Sequence, residues 1–367
     1  MRIAYDHQIF SEQVYGGISR YFFEVAKRIQ AFEGYAVEIL SPLFVNNYIK
    51  DDPSLKVWGM HVNQLPRTGR IVQLLNGELV RWKLNQTQPD IVHETYYLGR
   101  KLAPSKSKTI VTVYDMIHEK FPQFFPSNDK TRQIKKTAVN RADHVICISE
   151  NTRADLINLL QVPREKTSVT HLAYTASKEK AEPLERLRGR PYIAYVGVRI
   201  GYKNFIGLIR AFGVSTFLRG HFSIVCFGGG ALTREEREEI TRAKLKPDQV
   251  IMMNGTDQLL ESVYRGAAAF AYPSLYEGFG LPPLEAMSAE CPVVCSRTSS
   301  LPEVCGDAAE YFDPAQPESI ATSIERAVAS NGRRKELVAL GLLQIRKFSW
   351  DQCAGQTAAI YGEVSRR

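Results

Sequence analysis

The sequence predicts an α/β protein built from two doubly wound parallel-sheet domains. Three observations predict it. The chain has 367 residues, more than one ordinary compact domain needs and enough for two. Short apolar, β-branched runs recur along nearly the whole length and alternate with amphipathic helical segments. These runs lack polar alternation, which is the pattern of strands covered by helices on both faces.

In the first half the predicted strands are RIAY (2–5), AVEILS (36–41), DIVHE (90–94), TIVTVYD (109–115), HVICIS (144–149) and SVTHLA (168–173). In the second half they are YIAYVGV (192–198), SIVCFGG (223–229), VIMMNG (250–255), AFAYPS (269–274), PVVCS (292–296) and AEYFDP (309–314). Helical patterns such as 18–32 and 203–213 lie between them. Strand and helix repeated in this way form doubly wound folds, which bind ligands at the carboxyl ends of their strands. The polar stretch 174–191, YTASKEKAEPLERLRGRP, carries two prolines and separates the two sets of strands. It reads as the linker between a domain over 1–180 and a second over 185–350. The last segment, QCAGQTAAIYGEV after Phe348-Ser349-Trp350-Asp351, reads as a helix with Ser349 or Asp351 near its N-cap.

Composition narrows the class. Hydrophobic residues make up 44% and charged residues 23%, which excludes a disordered chain, a collagen-like repeat and a small disulfide scaffold. No run approaches the length of about 18 apolar residues that a membrane span needs. Met1-Arg2-Ile3-Ala4-Tyr5-Asp6 has no apolar core, so no secretory signal and a cytoplasmic location are expected. The cysteines at 147, 226, 291, 295, 305 and 353 form no CxxC pair. They suit a reducing compartment better than a zinc site or a disulfide framework. The net charge of +8 is concentrated in one half: residues 1–190 hold 28 Lys+Arg against 20 Asp+Glu, and the remainder is balanced. A basic half suits an anionic partner such as a membrane surface, or is simply a solvated surface. No RNP-like strand, zinc finger or Arg-rich arm points to nucleic acid.

The strongest motif is Tyr272-Pro273-Ser274-Leu275-Tyr276-Glu277-Gly278-Phe279-Gly280-Leu281-Pro282-Pro283-Leu284-Glu285-Ala286-Met287. Gly278 and Gly280 permit a tight turn after a strand. Pro282 and Pro283 suit the first helical positions, and the helix start would present a positive end to an anion. Glu277 and Glu285 would repel a phosphate, so they suit hydroxyls, one on a sugar and one on a ribose. Arg199 and Lys203 lie four apart beyond a predicted strand end and can converge on one diphosphate.

The Glu277-x7-Glu285 spacing with GFGLPPLEAM resembles the retaining GT-B glycosyltransferases, glycosyltransferase family 4 of the group 1 type. The resemblance covers essentially the full length. It includes the glycine loop Gly16-Gly17 within YGGISR, the basic pair Arg199 and Lys203, Gly228 after one strand and Gly255 after another. In texture the chain is most similar to bacterial polysaccharide mannosyltransferases. The resemblance implies two Rossmann-like domains facing each other across a cleft. The first would bind the acceptor, with the terminal helix 351–367 packed back on it, and the second would bind the nucleotide sugar. It places Arg199 and Lys203 on the pyrophosphate, Glu277 on the sugar hydroxyls and Glu285 on the ribose. The backbone of Gly278, Phe279, Gly280 and Leu281 would reach the sugar and phosphate.

Many family members carry a histidine where this chain has Tyr114. Asp115 follows it, and His118 is the candidate to take over the catalytic role. His93, at another strand end, is a candidate for lining the acceptor pocket with Asp115 and His118. No Asp-x-Asp triplet occurs, so no metal or other cofactor is expected, Mg²⁺ requiring such oxygen ligands. The expected reaction is hexosyl transfer, first of mannose from GDP-mannose, to a glycan or lipid-linked saccharide. The basic half would contact the membrane surface. A UDP- or dTDP-sugar donor, a nucleotide-sugar epimerase and a degenerate scaffold are the alternatives.

Overall fold

Parallel pairing of the apolar runs organises both halves of the chain in the computed structural model, which describes residues 1–63, 69–175, 181–184 and 189–367. Of the predicted linker, residues 176–180 and 185–188 lie outside the described residues. The chain divides into two compact units. One comprises Met1–Lys120, Phe125–Ala173 and Ser349–Arg367, and the other Phe121–Phe124 and Tyr174–Phe348.

The first unit contains strands β1 (Arg2–Tyr5), β2 (Ala36–Phe44), β3 (Val57–His61), β4 (Ile91–Glu94), β5 (Lys108–Val113), β6 (His144–Cys147) and β7 (Thr167–Val169). They form a parallel sheet in the order β3-β2-β1-β4-β5-β6-β7. The second contains β8 (Tyr192–Val196), β9 (Ser223–Phe227), β10 (Val250–Met253), β11 (Ala269–Tyr272), β12 (Val293–Ser296) and β13 (Ala309–Phe312). Their order is β10-β9-β8-β11-β12-β13, again parallel. Both sheets start in the middle, build outward on one side, then reverse, as doubly wound sheets do.

Each apolar run predicted as a strand forms one, and β3 is the strand that the sequence reading omits. It lies on the sheet edge beside β2, and none of its residues is buried: Val57, Trp58 and His61 are half-buried and Gly59 and Met60 exposed, so it carries no continuous apolar run. Several predicted strands overrun their ends, because residues such as Gly197 and Gly228 continue into the loops that follow.

Burial explains the arrangement. Every residue of β4, β6, β8, β11 and β12 is buried. In the second unit Ile193, Tyr195, Ile224 and Ala271 pack with Phe205, Leu208 and Phe212 of the helix Phe205–Val214. Burying such a side chain fully contributes about 1.5–3 kcal/mol. In the first unit Val80 and Leu84 of the helix Gly69–Thr87 pack on Ala4, Leu40 and Val92. The terminal helix Trp350–Ser365 is capped by Ser349, whose side chain accepts from the Gln352 amide. It packs in the first unit against the helix Gly17–Gln30, with Arg28 Nε donating to Asp351 at 2.6 Å. All six cysteines are free thiols buried in the two cores.

Candidate active site

In the second sheet β8 and β11 are neighbours, and the strand order reverses between them. Loops leaving their carboxyl ends therefore diverge and open a crevice. The loop after β8 carries Arg199 and Lys203, and the loop after β11 carries Glu277.

Lys203 ends a single 3-10 turn, Gly201–Lys203, and is followed by Asn204 in the left-handed region. Asn204 fixes this turn: its Nδ2 donates to the carbonyls of Pro273 at 3.1 Å and Pro314 at 2.8 Å. The Leu275 amide donates to the Tyr202 carbonyl at 2.7 Å, so the two loops are tied together directly. Held in this way, Lys203 Nζ donates to Glu277 Oε1 at 2.6 Å and to Tyr272 Oη at 3.3 Å. Burial, and Glu277 beside it, hold the Tyr272 phenol well above its usual pKa, so it remains protonated. Lys203 has three N–H donors, so these two bonds leave capacity for a third acceptor.

The Glu277 loop is braced from behind by three hydroxyls after β12. Ser299 Oγ accepts from the Glu277 amide at 3.0 Å. Ser300 Oγ donates to the carbonyls of Glu277 at 3.0 Å and Phe279 at 2.7 Å, and Thr298 Oγ1 donates to Leu275 at 3.1 Å. The sequence reading missed this brace and the Asn204 anchor. Its visible signal is the hydroxyl cluster Thr298-Ser299-Ser300 directly after a strand. The Phe279 ring packs edge-on against Phe348. Gly280 takes φ +114°, and a side chain there would meet Leu301 at 2.9 Å. It opens the helix Leu281–Ser288 with no side-chain cap. Pro282 and Pro283 carry no N–H, so of the first three helical residues Leu281 alone can offer its amide. Glu285 lies in this helix with Oε2 accepting from Tyr264 Oη at 3.4 Å.

Arg199 does not join Lys203. Its guanidinium turns inward: Nε donates to Glu236 at 2.7 Å, Nη1 to the Gly228 carbonyl at 3.2 Å, and Nη2 to Gly230 at 3.2 Å and Ala231 at 2.8 Å. Its side chain is 3% exposed. The sequence expectation placed it on a diphosphate; here four carbonyl and carboxylate acceptors occupy its fork, and it shapes the loop after β9. Gly228, Gly229 and Gly230 all have positive φ, and a side chain on Gly229 would strike Arg199 at 2.7 Å. Glu236 completes the clamp, since its other oxygen accepts from the Thr233 amide at 2.6 Å in a capping box. Gly255 lies in the exposed loop between β10 and the helix Asp257–Gly266.

In the first unit Gly16 and Gly17 begin the helix Gly17–Gln30, where Gln13 Oε1 already accepts from the Ser19 amide at 3.1 Å. Asp115 and His118 lie together beyond β5. Asp115 Oδ1 accepts from the Ile117 amide at 3.0 Å, and the His118 ring stacks on Phe125 at 3.9 Å with Nε2 3.7 Å from Asp129. Tyr114 points away from them, donating its hydroxyl to the Thr95 carbonyl at 3.0 Å.

His93 is a second correction. It is fully buried, with Nδ1 2.6 Å from Tyr361 Oη and Nε2 2.8 Å from Thr112 Oγ1. Burial pushes its pKa down to about 3. Both ring nitrogens are used inside the core, so no face is left for an acceptor. Its work is to hold the terminal helix, which carries Tyr361, on the first unit.

Two parallel doubly wound sheets, with a cation and a carboxylate paired at the switch point of the second, define the GT-B class of nucleotide-sugar enzymes. Two family models match in tandem: Glycosyltransferase Family 4 over residues 15–175 and Glycosyl transferases group 1 over residues 177–341. The chain belongs to this glycosyltransferase family. It is 28% identical to the O-antigen chain mannosyltransferase B of Escherichia coli, over 94% of this chain and 95% of that protein. Its fold matches the sucrose-phosphate synthase of Thermosynechococcus elongatus with a TM-score of 0.75 and 20% identity, covering 99% and 98% of the two chains. It also matches Anabaena HepE, solved in complex with UDP and glucose, with a TM-score of 0.72 and 17% identity over 98% and 99%.

Proposed function

We propose that this glycosyltransferase moves a mannosyl group from GDP-mannose to a glycan or lipid-linked saccharide in polysaccharide synthesis. Transfer proceeds with retention and without a metal ion, at the cytoplasmic face of a membrane. The observation that carries the reading is the Lys203–Glu277 pair, with Nζ 2.6 Å from Oε1 at the β8/β11 switch point. The mannosyltransferase relative supports the sugar, and the UDP and glucose bound by HepE support a nucleotide-sugar donor.

In the reaction the bond from the anomeric carbon to the diphosphate oxygen breaks, and a bond to the acceptor oxygen forms on the same face of the sugar. The acceptor proton passes to the leaving phosphate oxygen, so no enzymic nucleophile is required. Lys203 meets the charge that develops on that oxygen, and the helix start at Leu281 adds its positive end. Glu277 accepts hydroxyls of the sugar and Glu285 those of the ribose. With Arg199 turned inward, Lys203 is the basic residue of the motif that remains for the pyrophosphate. The basic first half supports adsorption to an anionic membrane surface, which weakens as salt shortens the Debye length. Asp115 and His118 belong to the acceptor side of this reading.

A thermal-shift panel of GDP, UDP, dTDP and their sugars, run in EDTA and then in Mg²⁺, tests the proposal. A ligand at 100 times its Kd adds about 2.7 kcal/mol to the folded state. The expected result is a shift with GDP and GDP-mannose that EDTA leaves intact. A shift confined to UDP or dTDP compounds overturns the donor, and one that requires Mg²⁺ overturns metal independence.

A further inference from the structure

The second unit has another crevice, beside the edge of its sheet rather than at the switch point. The loops after β12 and β13 and the helix Pro317–Ala329 enclose a cavity of about 700 Å³. Its size falls in the range of small-ligand sites, roughly 300–1,000 Å³. Neither Lys203 nor Glu277 lines it. At one end two arginines gather around Tyr311 of β13. The Arg297 guanidinium lies 6.0 Å over the Tyr311 ring, and among the described residues it has no ion-pair partner. Arg326 Nη2 donates to Ser323 Oγ at 3.0 Å, and Ser323 Oγ donates to the Tyr311 carbonyl at 2.9 Å. The carboxylate beside Arg326 is Glu310 at 3.3 Å, which Arg333 holds more closely, at 2.7 Å. Nε and Nη1 of Arg326 remain as donors. Two guanidinium forks in one place are the chemistry that recognises a phosphate.

The other end suits hydroxyls. Asp313 follows β13, and its carboxylate accepts from the Ala315 amide at 2.9 Å and from Gln316 Nε2 at 3.1 Å. Its own amide donates to Ser319 Oγ at 3.0 Å. These bonds fix the turn and leave lone pairs on both carboxylate oxygens. Glu318, Ser319, Thr322 and Arg326 line the cavity from the helix, at the spacing of one helix face. Glu318 and Arg326 lie about 12 Å apart along that face. Carboxylate, hydroxyls and arginine in this order match a polar ring that carries a phosphate at one end. A bare inorganic anion would leave the acidic end unused.

Two wall residues tie this cavity to the loops of the candidate active site. Thr298 Oγ1 donates to the Leu275 carbonyl of the Glu277 loop at 3.1 Å. The Pro314 carbonyl accepts at 2.8 Å from Asn204 Nδ2, which fixes the Lys203 turn. We infer that the cavity is an effector site for a hexose monophosphate, with the phosphate between Arg297 and Arg326 and the ring hydroxyls toward Asp313 and Thr322. A ligand spanning both walls holds the Thr298 brace and the Asn204 anchor in one arrangement. Less ordering is then left for a nucleotide to accomplish, so the two ligands favour each other. The coupling rests on the nucleotide-sugar reading of Lys203, whereas the phosphate site does not.

Calorimetric titration of the full chain with mannose 6-phosphate, inorganic phosphate and methyl α-mannoside tests it. The expected result is saturable binding of mannose 6-phosphate at least tenfold tighter than either of the other two. Arg297→Gln combined with Arg326→Gln should weaken it at least tenfold. Both residues are exposed and Arg333 still pairs Glu310, so this variant should unfold as the parent does. Lys203→Ala, at the candidate active site, should leave the affinity for mannose 6-phosphate unchanged. Saturating mannose 6-phosphate should tighten GDP at least threefold, and saturating GDP should tighten mannose 6-phosphate by the same factor. The double arginine variant should bind GDP as the parent does and lose this enhancement. No saturable binding, equal affinity for phosphate or methyl mannoside, an affinity lost with Lys203 but not with the arginines, or a measurable GDP affinity that the sugar phosphate does not move overturns the inference. A protein that binds mannose 6-phosphate through the arginines but binds no nucleotide would instead sink the nucleotide-sugar reading and leave the phosphate site standing.

Discussion

Lys203 and Glu277, 74 positions apart in sequence, meet at 2.6 Å because the loops leaving β8 and β11 are tied to each other by Asn204 and the Leu275 amide. On the proposed reading, the pairing holds the lysine ready for a diphosphate while its charge is balanced. A ligand that brings its own negative charge competes with Glu277 for the same ammonium. On the same reading, Glu277 is then released to turn its oxygens to the sugar.

That competition gives the first prediction a sign. Glu277→Gln preserves shape and removes the counter-charge, so GDP should bind as tightly as to the parent or more tightly, while transfer falls by at least about a hundredfold. Lys203→Ala should do the reverse to nucleotide binding, weakening GDP by roughly ten- to a hundredfold for a lost charge-assisted contact. Calorimetric titration of both variants with GDP checks this. Weaker binding in Glu277→Gln would contradict the competition.

Arg199 separates from Lys203 in a second prediction. Its fork is committed to Glu236 and the carbonyls of the glycine loop, so Arg199→Ala leaves a buried carboxylate uncompensated. Breaking such a pair costs about 3–5 kcal/mol. Urea denaturation should show the second unit strongly destabilised, with Arg199→Ala/Glu236→Ala less affected than the sum of the single variants. The GDP affinity of the folded fraction should change little. A hundredfold loss of GDP affinity at intact stability would return Arg199 to the diphosphate.

Much of this was legible in the sequence, and the residues show why. Twelve apolar runs gave the strands because strands buried on both faces leave an unbroken apolar signature. The edge strand Val57–His61 has no such signature. The left-handed backbone at Gly280 was readable because turn chemistry is local. The direction of Arg199 was not: spacing of four allows it to converge with Lys203, but Glu236, 37 positions on, captures it. His93 was misjudged for the same reason, since its partner Tyr361 lies 268 positions away. The Ser299–Ser300 brace was visible only as composition, because a hydroxyl says nothing about which backbone it will meet.

His93 yields a pH prediction. Its folded pKa of about 3 lies below the value of about 6.5 for an unfolded chain. Between those values the unfolded state binds a proton that the folded state refuses, so stability falls as pH drops below about 6.5. By pH 4.5 the loss is about 2–3 kcal/mol at 1.36 kcal/mol per unit. Burial pushes the neighbouring Glu94 up to about 7 against its Arg141 partner, a contribution of opposite sign, so the comparison must be made against a variant. His93→Gln should be less stable than the parent at pH 8, with the gap closing toward pH 4.5. A gap independent of pH would mean that the ring titrates normally.

Gly280 tests the loop that presents the helix start. At φ +114° a residue with a Cβ is strained, and that Cβ would also meet Leu301 at 2.9 Å. The two penalties can be separated. Gly280→Ala should destabilise the second unit by about 1–3 kcal/mol for the backbone alone, with the contact added. Leu301→Ala removes the contact but leaves the φ penalty, and it costs about 2–5 kcal/mol on its own because Leu301 is fully buried. The double variant should therefore lie above the sum of the two singles by the contact energy, while transfer remains low in both Gly280 variants. On the proposed reading, the backbone at 280 sets the angle at which the Leu281 amide faces a ligand, and removing a leucine does not restore it. Denaturation midpoints and initial transfer rates on the three variants decide the matter: recovery of both stability and rate in the double variant would show that Gly280 is required for space and not for its backbone angle.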